Sequence, residues 1–325
     1  NISLSNNDSG GDDGDGYGVS GNTLFGFMSG ANLDPGSIDN VFIGHRAAAG
    51  SLSDARYNIA IGQLSMYGLT SGDNNTAIGS GSLYANNTGY SNVAIGRLAG
   101  NAITSGNSNV VIGHAAGDAL TDASSLVLIG TNAGGGSITS AAVGLVAIGQ
   151  QAGVSHTSAA GCTYVGQTAG KEVTTGDNST GIGFEALGAS AANVLTGNDN
   201  TAVGYRAGYD LEGAAASNTL IGSSSGDALT TGSQNTALGY NSLSAATTIG
   251  NTVAVGWNAL ALTTGDNNVG VGTQALSLIG VGTGNVAIGK QAMLSSGTAA
   301  DNDASNNVAI GLSALLAITD GDNNV

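Results

Sequence analysis

Hydrophobic and polar positions along the chain follow a short repeat built on the pattern Asn-(Val/Thr)-Ala-Ile-Gly. The glycine of this pattern recurs most often at intervals of 17 residues, and the other positions are numbered from it. The anchor glycines are Gly26, Gly44, Gly62, Gly79, Gly96, Gly113, Gly130, Gly149, Gly166, Gly183, Gly204, Gly222, Gly239, Gly256, Gly272, Gly289 and Gly311. Position −3 is β-branched and position −1 is large and apolar in every copy, as in a short strand. The repeat predicts an all-β, parallel β-solenoid of about seventeen coils of about 17 residues.

The two faces of the predicted strand are both apolar. Side chains alternate along a strand, so positions −3 and −1 share one face and position −2 lies on the other. We expect the large side chains of position −1 to fill the coil interior, and each coil to contain two short strands. Position −2 is usually small, as at Ala60, Ala94 and Gly181. This small face then needs a second surface, most simply a neighbouring chain, unless it meets water.

Other columns of the repeat indicate how the coils stack. Position −4 is Asn in most copies, such as Asn58 and Asn92, and stacked amides can bond to one another as a ladder. Leu, Cys and Ser replace this Asn between residues 126 and 179, where we expect the ladder to be interrupted. Position +3 is Ala or Ser in every copy, which predicts a tight arc. Segments such as Gly72-Asp73-Asn74 are typical of turns, because these residues tolerate left-handed backbone.

Composition restricts the possible functions. The 325 residues include 56 Gly but one Trp and four Phe, so the core must be built from small aliphatic side chains. The formal net charge is −16 with only 6 Lys and Arg, which disfavours nucleic-acid binding because phosphates require cations. Cys162 is the only cysteine, which excludes an intrachain disulfide framework. No apolar run is long enough for a membrane helix, so no membrane insertion is expected.

Residues 1–21 do not fit the repeat and are predicted to be an atypical, acidic and Gly-rich cap or linker. The repeat domain, 22–325, is expected to be a fragment of a longer chain. Asp8, Asp12, Asp13 and Asp15 lie among glycines in the first segment and are candidate calcium ligands, because calcium takes oxygen ligands. A flexible acidic linker is the preferred interpretation, since the spacing matches no regular calcium loop. No other cofactor is expected.

Two patterns associated with catalysis have simpler explanations. Residues 222–226 match Gly-x-Ser-x-Gly, the nucleophile elbow of hydrolases. Their glycines are ordinary repeat positions, and Ser225 is the ordinary small residue at +3. His45, His114 and His156 lack the spacing of a metal site or a triad and are expected to be exposed polar residues. The sequence therefore predicts that the chain is not an enzyme.

Position +1 is the column that most resembles a binding surface. Its mixed composition indicates exposure, yet it includes Phe184, Tyr205, Tyr240 and Trp257. Exposed rings in a row can stack on sugars, so these residues are candidate glycan ligands. The alternative is that they pack against a neighbouring chain or coil.

The segments 92–96, 285–289 and 307–311, all Asn-Val-Ala-Ile-Gly, resemble the head repeats of trimeric autotransporter adhesins. Similar repeats with Gly-Asp-Asn turns occur in long bacteriophage tail fibres. The resemblance covers nearly all of 22–325. It implies a left-handed β-roll and a parallel homotrimer, with the second strand face toward the trimer axis. It supplies no catalytic residue.

The sequence as a whole predicts a structural and adhesive fibre segment, outside the cell, on a cell surface or a virion. Its expected partners are further copies of itself and a glycan or receptor of a host or matrix surface. The alternatives are a monomeric glycan-binding solenoid and a subunit of a self-assembling extracellular filament.

Overall fold

A computed structural model of the chain describes residues 21–188, 194–295 and 303–325, together with the backbone of residues 4–6. These residues form a parallel β-solenoid in which a strand of three residues recurs about every 17 residues and turns connect the strands. The solenoid consists of two compact units, residues 1–161 and 162–325. Nowhere in the described ranges is there a helix with the length and apolarity to cross a membrane.

The strands of the first unit are β1 Leu4–Asn6, β2 Thr23–Phe25, β3 Val41–Ile43, β4 Ile59–Ile61, β5 Thr76–Ile78, β6 Val93–Ile95, β7 Val110–Ile112, β8 Val127–Ile129 and β9 Val146–Ile148. Those of the second unit are β10 Thr163–Val165, β11 Thr180–Ile182, β12 Thr201–Val203, β13 Thr219–Ile221, β14 Thr236–Leu238, β15 Val253–Val255, β16 Val269–Val271, β17 Val286–Ile288 and β18 Val308–Ile310. Strands β2–β18 lie at positions −3 to −1 of the repeat, which confirms the predicted strand in each copy.

Equivalent residues of successive coils lie opposite one another. Val93 pairs with Val110, and Ile95 pairs with Ile112, in parallel register. The same register joins β2 through β9 and, in the second unit, β10 through β18. Strand β1 runs antiparallel along β2, with Leu4 opposite Phe25. Each side-chain column of the repeat is therefore a physical column on the molecule.

The structure reverses the predicted faces of the strand. In every strand from β2 to β18 the central residue is buried, whereas its two neighbours are half-buried or exposed. Ala94 is completely buried, for example, while Ile95 is 37% exposed. The prediction that position −1 fills the interior was wrong, and so was the prediction that the Ala/Gly face needs a neighbouring chain. A strand of three residues turns only its central side chain inward, so the large residues on either side of it point outward.

The side-chain volume at position −2 is balanced by that at other interior positions of the same coil. Ala77 at −2 is accompanied by Leu83 at +4, and both are buried. Tyr164 at −2 is accompanied by Gly170, where an added Cβ atom would overlap the tyrosine ring. Position +7 fills the remaining space in coils with a glycine at +4, as Ile103 does. The interior thus conserves volume rather than residue identity.

The side of the coil opposite the strands is built from turns, so the predicted second strand was also wrong. Among the described residues, this side carries only isolated bridges such as Val173 to Leu195. Backbone hydrogen bonds still join neighbouring coils there. The Thr104 N–H donates to the Thr121 carbonyl at 2.9 Å. Coils are consequently tied to one another on both sides of the solenoid.

The turns depend on left-handed backbone at positions +2, +4 and −5. In one coil these are Leu98 (φ 60°), Gly100 (φ 57°) and Ser108 (φ 57°). The anchor Gly96 has φ 133°, which side chains rarely allow. A Cβ atom on Gly96 would also lie 2.5 Å from the Gly113 carbonyl oxygen of the next coil. Two independent constraints therefore make glycine the most constant residue of the repeat.

The asparagines at −4 form the predicted ladder, and all of its members from Asn22 to Asn109 are buried. Asn92 Nδ2 donates to Asn75 Oδ1 at 3.1 Å and to the Gly106 carbonyl at 2.8 Å. Asn92 Oδ1 in turn accepts the Asn109 backbone N–H at 3.0 Å. At an interrupted position, Cys162 Sγ instead donates to the Gly176 carbonyl at 3.2 Å.

Candidate functional site

The outward side chains of the strands form an apolar surface on each unit. We call the side chains at positions −3 and −1 of β2–β9 and of β10–β18 the outer stripe. Position −1 contributes most of its exposed apolar members, among them Phe25, Ile78 and Ile95 in the first unit and Ile182, Ile221, Leu238 and Ile288 in the second, and Ile59 is an exposed member at position −3. Because equivalent residues stack in register, the apolar groups are spaced one coil apart along each unit.

The predicted aromatic residues at +1 are all exposed, as expected. The rings of Phe184 and Tyr205 stack on each other, with centroids 5.6 Å apart and planes 8° from parallel. Tyr240 and Trp257, in consecutive coils, are 52% and 47% exposed. Ser223 separates the two pairs. Each ring of the first pair covers one face of the other, which leaves less ring face for a ligand.

A groove of about 390 Å³ includes the residues that directly follow Tyr240 and Trp257 in the chain, although neither ring lines it. Carboxamides of Asn241, Asn258 and Gln274 line it, together with small and aliphatic residues. These residues are Ser244, Ala261, Leu262, Ser277, Leu278 and Leu294. None of the residues lining the groove is charged. The sequence prediction missed this groove, although carboxamides at position +2 in four successive coils, from Asn241 to Gln291, were a visible signal.

Backbone hydrogen bonds fix the aromatic column next to the carboxamide column. The Asn258 N–H donates to the Tyr240 carbonyl at 3.0 Å, and the Gln274 N–H donates to the Trp257 carbonyl at 2.9 Å. Gln274 Oε1 accepts from Gln291 Nε2 at 3.2 Å. Asn258 Oδ1 is buried without a hydrogen-bond partner. The lining of the groove therefore contains one polar atom, enclosed in this side-chain position, whose hydrogen-bonding capacity the chain does not use.

A charged cluster lies in the coils between Gly183 and Gly239. The Arg206 guanidinium lies 4.0 Å from the centroid of the Tyr209 ring, and its Nε is 3.5 Å from Glu185 Oε2. Burial raises the pKa of Asp227, while a hydrogen bond from Ser224 and the charge of Arg206 oppose the rise. Arg206 is thus paired with Glu185 and the Tyr209 ring, whereas burial disfavours the charged form of Asp227.

Ser225 lies inside the coil, away from any substrate. Its Oγ is 3.1 Å from the Ala237 carbonyl oxygen and 3.0 Å from Ser242 Oγ, and the residue is fully buried. His45 and His114 are exposed, as predicted. His156 is buried, which corrects the prediction, with Nε2 2.9 Å from the Ala159 carbonyl oxygen. It occupies interior position +7 of a coil whose residue at +4 is glycine.

The candidate calcium ligands Asp8, Asp12, Asp13 and Asp15 lie outside the described residues. Within the described ranges, no group of three or more His, Cys, Asp or Glu side chains could hold a metal ion. Calcium binding by the first segment stays a prediction.

No protein-family model matches this chain, and no curated protein matches it. The resemblance to adhesin head repeats therefore depends on the repeated pentapeptide alone, with which the solenoid architecture is compatible.

Proposed function

We propose that this chain is a segment of a structural and adhesive fibre, in which parallel copies pack against one another through the outer stripe. The observation that carries this proposal is the exposure of the stripe itself. Ile78 and Ile95 are 38% and 37% exposed in adjacent strands, and comparable residues recur along both units. Contiguous apolar surface of this kind is typical of protein–protein interfaces.

A second copy of the same chain is the partner that fits the stripe best. The partner must present apolar groups at the coil spacing over many coils. Another copy satisfies this requirement when it lies parallel and in register, because its own stripe has the same spacing. The resemblance to adhesin head repeats supports a homotrimer and a left-handed coil. The surface that faces the other copies is then the Val/Thr and Ile columns, and not the Ala/Gly face.

The proposed role is attachment outside the cell, on a cell surface or a virion, to a glycan or receptor of a host or matrix surface. Sparse charge with a net charge of −16 suits a soluble surface, and the backbone hydrogen bonds that join the coils within each unit suit a spacer. We propose no catalytic role, since the one hydrolase-like serine is bonded inside the coil.

Sedimentation equilibrium of the wild-type chain tests the assembly. We expect the mass of a homotrimer, and a single-chain mass for the double substitution I78E/I95E with an unchanged circular dichroism spectrum. Buried carboxylates at a chain contact would be strongly unfavourable. The matched control is S80E/R97E, because Ser80 and Arg97 are exposed at position +1 of the same coils.

A single-chain mass for the wild type would contradict the fibre proposal and favour the second candidate, a monomeric glycan-binding solenoid. The groove beside Tyr240 and Trp257 is the observation that favours that candidate. Masses that rise without limit with concentration would instead indicate a self-assembling filament.

A further inference from the structure

We propose that the groove of Asn241, Asn258 and Gln274 binds an uncharged oligosaccharide, with Tyr240 and Trp257 supplying the apolar surface for a sugar ring. This inference rests on the proposed adhesive function and names the class of ligand for one site. The site lies entirely within the second unit.

The hydrogen-bonding groups of the groove suit a polyhydroxylated ligand. A carboxamide carries both donor and acceptor groups, as a hydroxyl group does, although the Gln274 oxygen already accepts from Gln291. Asn241, Asn258 and Gln274 occupy position +2 of successive coils. Carboxamide groups therefore recur along the groove at the coil spacing. The buried Asn258 Oδ1 has no partner within the protein. A chain of sugars presents hydroxyl groups that repeat in the same manner.

The aromatic residues add the second element of sugar recognition. Tyr240 and Trp257 directly precede Asn241 and Asn258, and about half of each is exposed. The hydrogen bond from the Gln274 N–H to the Trp257 carbonyl holds the tryptophan backbone against the carboxamide column. An aromatic face binds apolar C–H groups, while the amides bind the hydroxyls of the same sugar.

Charge selects against an acidic glycan. None of the residues lining the groove is charged, and the chain as a whole is strongly negative. An anionic sugar would meet no cation in the lining to compensate its desolvation. A neutral oligosaccharide has no such cost.

The groove is separate from the proposed chain contact. Its residues occupy positions +2, +5 and +6, in the turns, whereas the outer stripe consists of positions −3 and −1. Packing through the outer stripe therefore does not require the groove.

Fluorescence of Trp257, the only tryptophan, provides the test on the intact chain. Separate titrations with cellohexaose, maltohexaose and the hexamer of N-acetylglucosamine cover three linkage and substituent types, and hexagalacturonate is the charged comparison. We expect a saturable change in fluorescence with at least one neutral hexamer and none with hexagalacturonate. N258A should weaken that binding about tenfold, the effect of about one lost hydrogen bond.

The matched control is N132A, which changes the same residue type at position +2 of the first unit, where Asn132 has φ 55° against 51° for Asn258. Binding unaffected by N258A, preferred binding of hexagalacturonate, or no response to any neutral hexamer would overturn the proposal. The mass of each sample is measured in parallel, so an intact trimer without sugar binding refutes this inference but not the fibre.

Discussion

Strands β6–β9 and strands β10–β14 differ in one column of the outer stripe. Position −3 is Val in all of the former and Thr in all of the latter. The central residue is buried in both sets, and the strands pair in the same parallel register. The difference teaches that the interior and the exterior are specified separately. The volume of the interior restricts the residue at position −2. The residue at position −3 depends instead on what covers the outer face of the strand.

Threonine and valine have nearly the same shape, so both are compatible with the strand. They differ in that each Thr carries a hydroxyl group outward. If the outer stripe is a chain contact, the Val region is its drier part and the Thr region is its more hydrated part. Four experiments test how far this comparison holds.

The largest effect should come from the anchor glycines, and it should be equal in both regions. G96A and G239A each place a Cβ atom 2.5 Å from the carbonyl oxygen of the next anchor glycine, at φ 133° and 141°. We expect a loss of about 3 kcal/mol or more in the free energy of unfolding for each, measured by chemical denaturation. G311A is the control for the overlap alone, because Gly311 has a similar φ of 129° but no atom within 4 Å of the added Cβ. Unequal losses for the two substitutions would mean that the regions differ inside as well as outside.

The asparagine ladder should rank next. N92A removes an amide that serves Asn75, Gly106 and Asn109, and leaves buried polar groups without partners. We expect a loss of about 2–4 kcal/mol, and the same for N218A in the second unit, measured by thermal unfolding. N132A, at the partly exposed position +2, should cost clearly less. An effect of N92A no larger than this control would show that the ladder contributes little.

Exchange of Val and Thr at position −3 should have smaller effects on chain association, with opposite signs in the two regions. V110T/V127T should weaken chain association, and T180V/T201V should strengthen it, by about 1 kcal/mol per exchanged side chain. The measurement is the dissociation constant from sedimentation at decreasing concentration. The secondary structure of all variants should be unchanged. If neither pair shifts the dissociation constant, the outer stripe does not mediate the association.

The smallest effect should appear only at alkaline pH and only in the second unit. Burial raises the pKa of the Cys162 thiol above its ordinary 9.0 and that of Tyr164 well above its ordinary 10.0. The folded state therefore holds these protons more tightly than the unfolded state. Their contribution to stability is fully present below the ordinary pKa values and decreases as pH rises above them.

Urea unfolding followed by Trp257 fluorescence, from about pH 7 to about pH 11, measures this decrease. Y164F should remove the part due to tyrosine, while Y57F changes an exposed tyrosine of the first unit and should not. An equal alkaline loss in wild type and Y164F would contradict the assignment.

The sequence was sufficient to locate the strands, because β-branched and large apolar residues flank a small residue before every anchor glycine. It also indicated the asparagine ladder and the exposure of position +1. It did not indicate which strand face is the interior, since Ala and Ile are both apolar and side-chain size favoured the wrong face. The complementary volumes of Tyr164 and Gly170, and of Ala77 and Leu83, were the sequence signal that position −2 is the interior position. Only an interior position would have its volume balanced by another column.

The candidate site was less predictable. The rings at +1 were evident, but the mutual stacking of Phe184 and Tyr205 depends on side-chain angles that the repeat does not specify. The groove is formed by residues of four coils, such as Asn241 and Leu294, which meet only when the coils stack. The buried position of His156 likewise follows from space that Gly153 leaves in its own coil.

The left-handed residues of the turns have a consequence for how the chain reaches this structure. Left-handed backbone costs about 1–2 kcal/mol for each non-glycine residue, and most coils contain two or more such residues. A lone coil has no neighbour whose hydrogen bonds offset this cost, so it should not be stable by itself. A completed coil, in contrast, presents an ordered row of backbone donors and acceptors to the segment that follows. Folding should therefore resemble crystal growth, with a rare nucleus of a few coils and rapid addition of further coils at its edge.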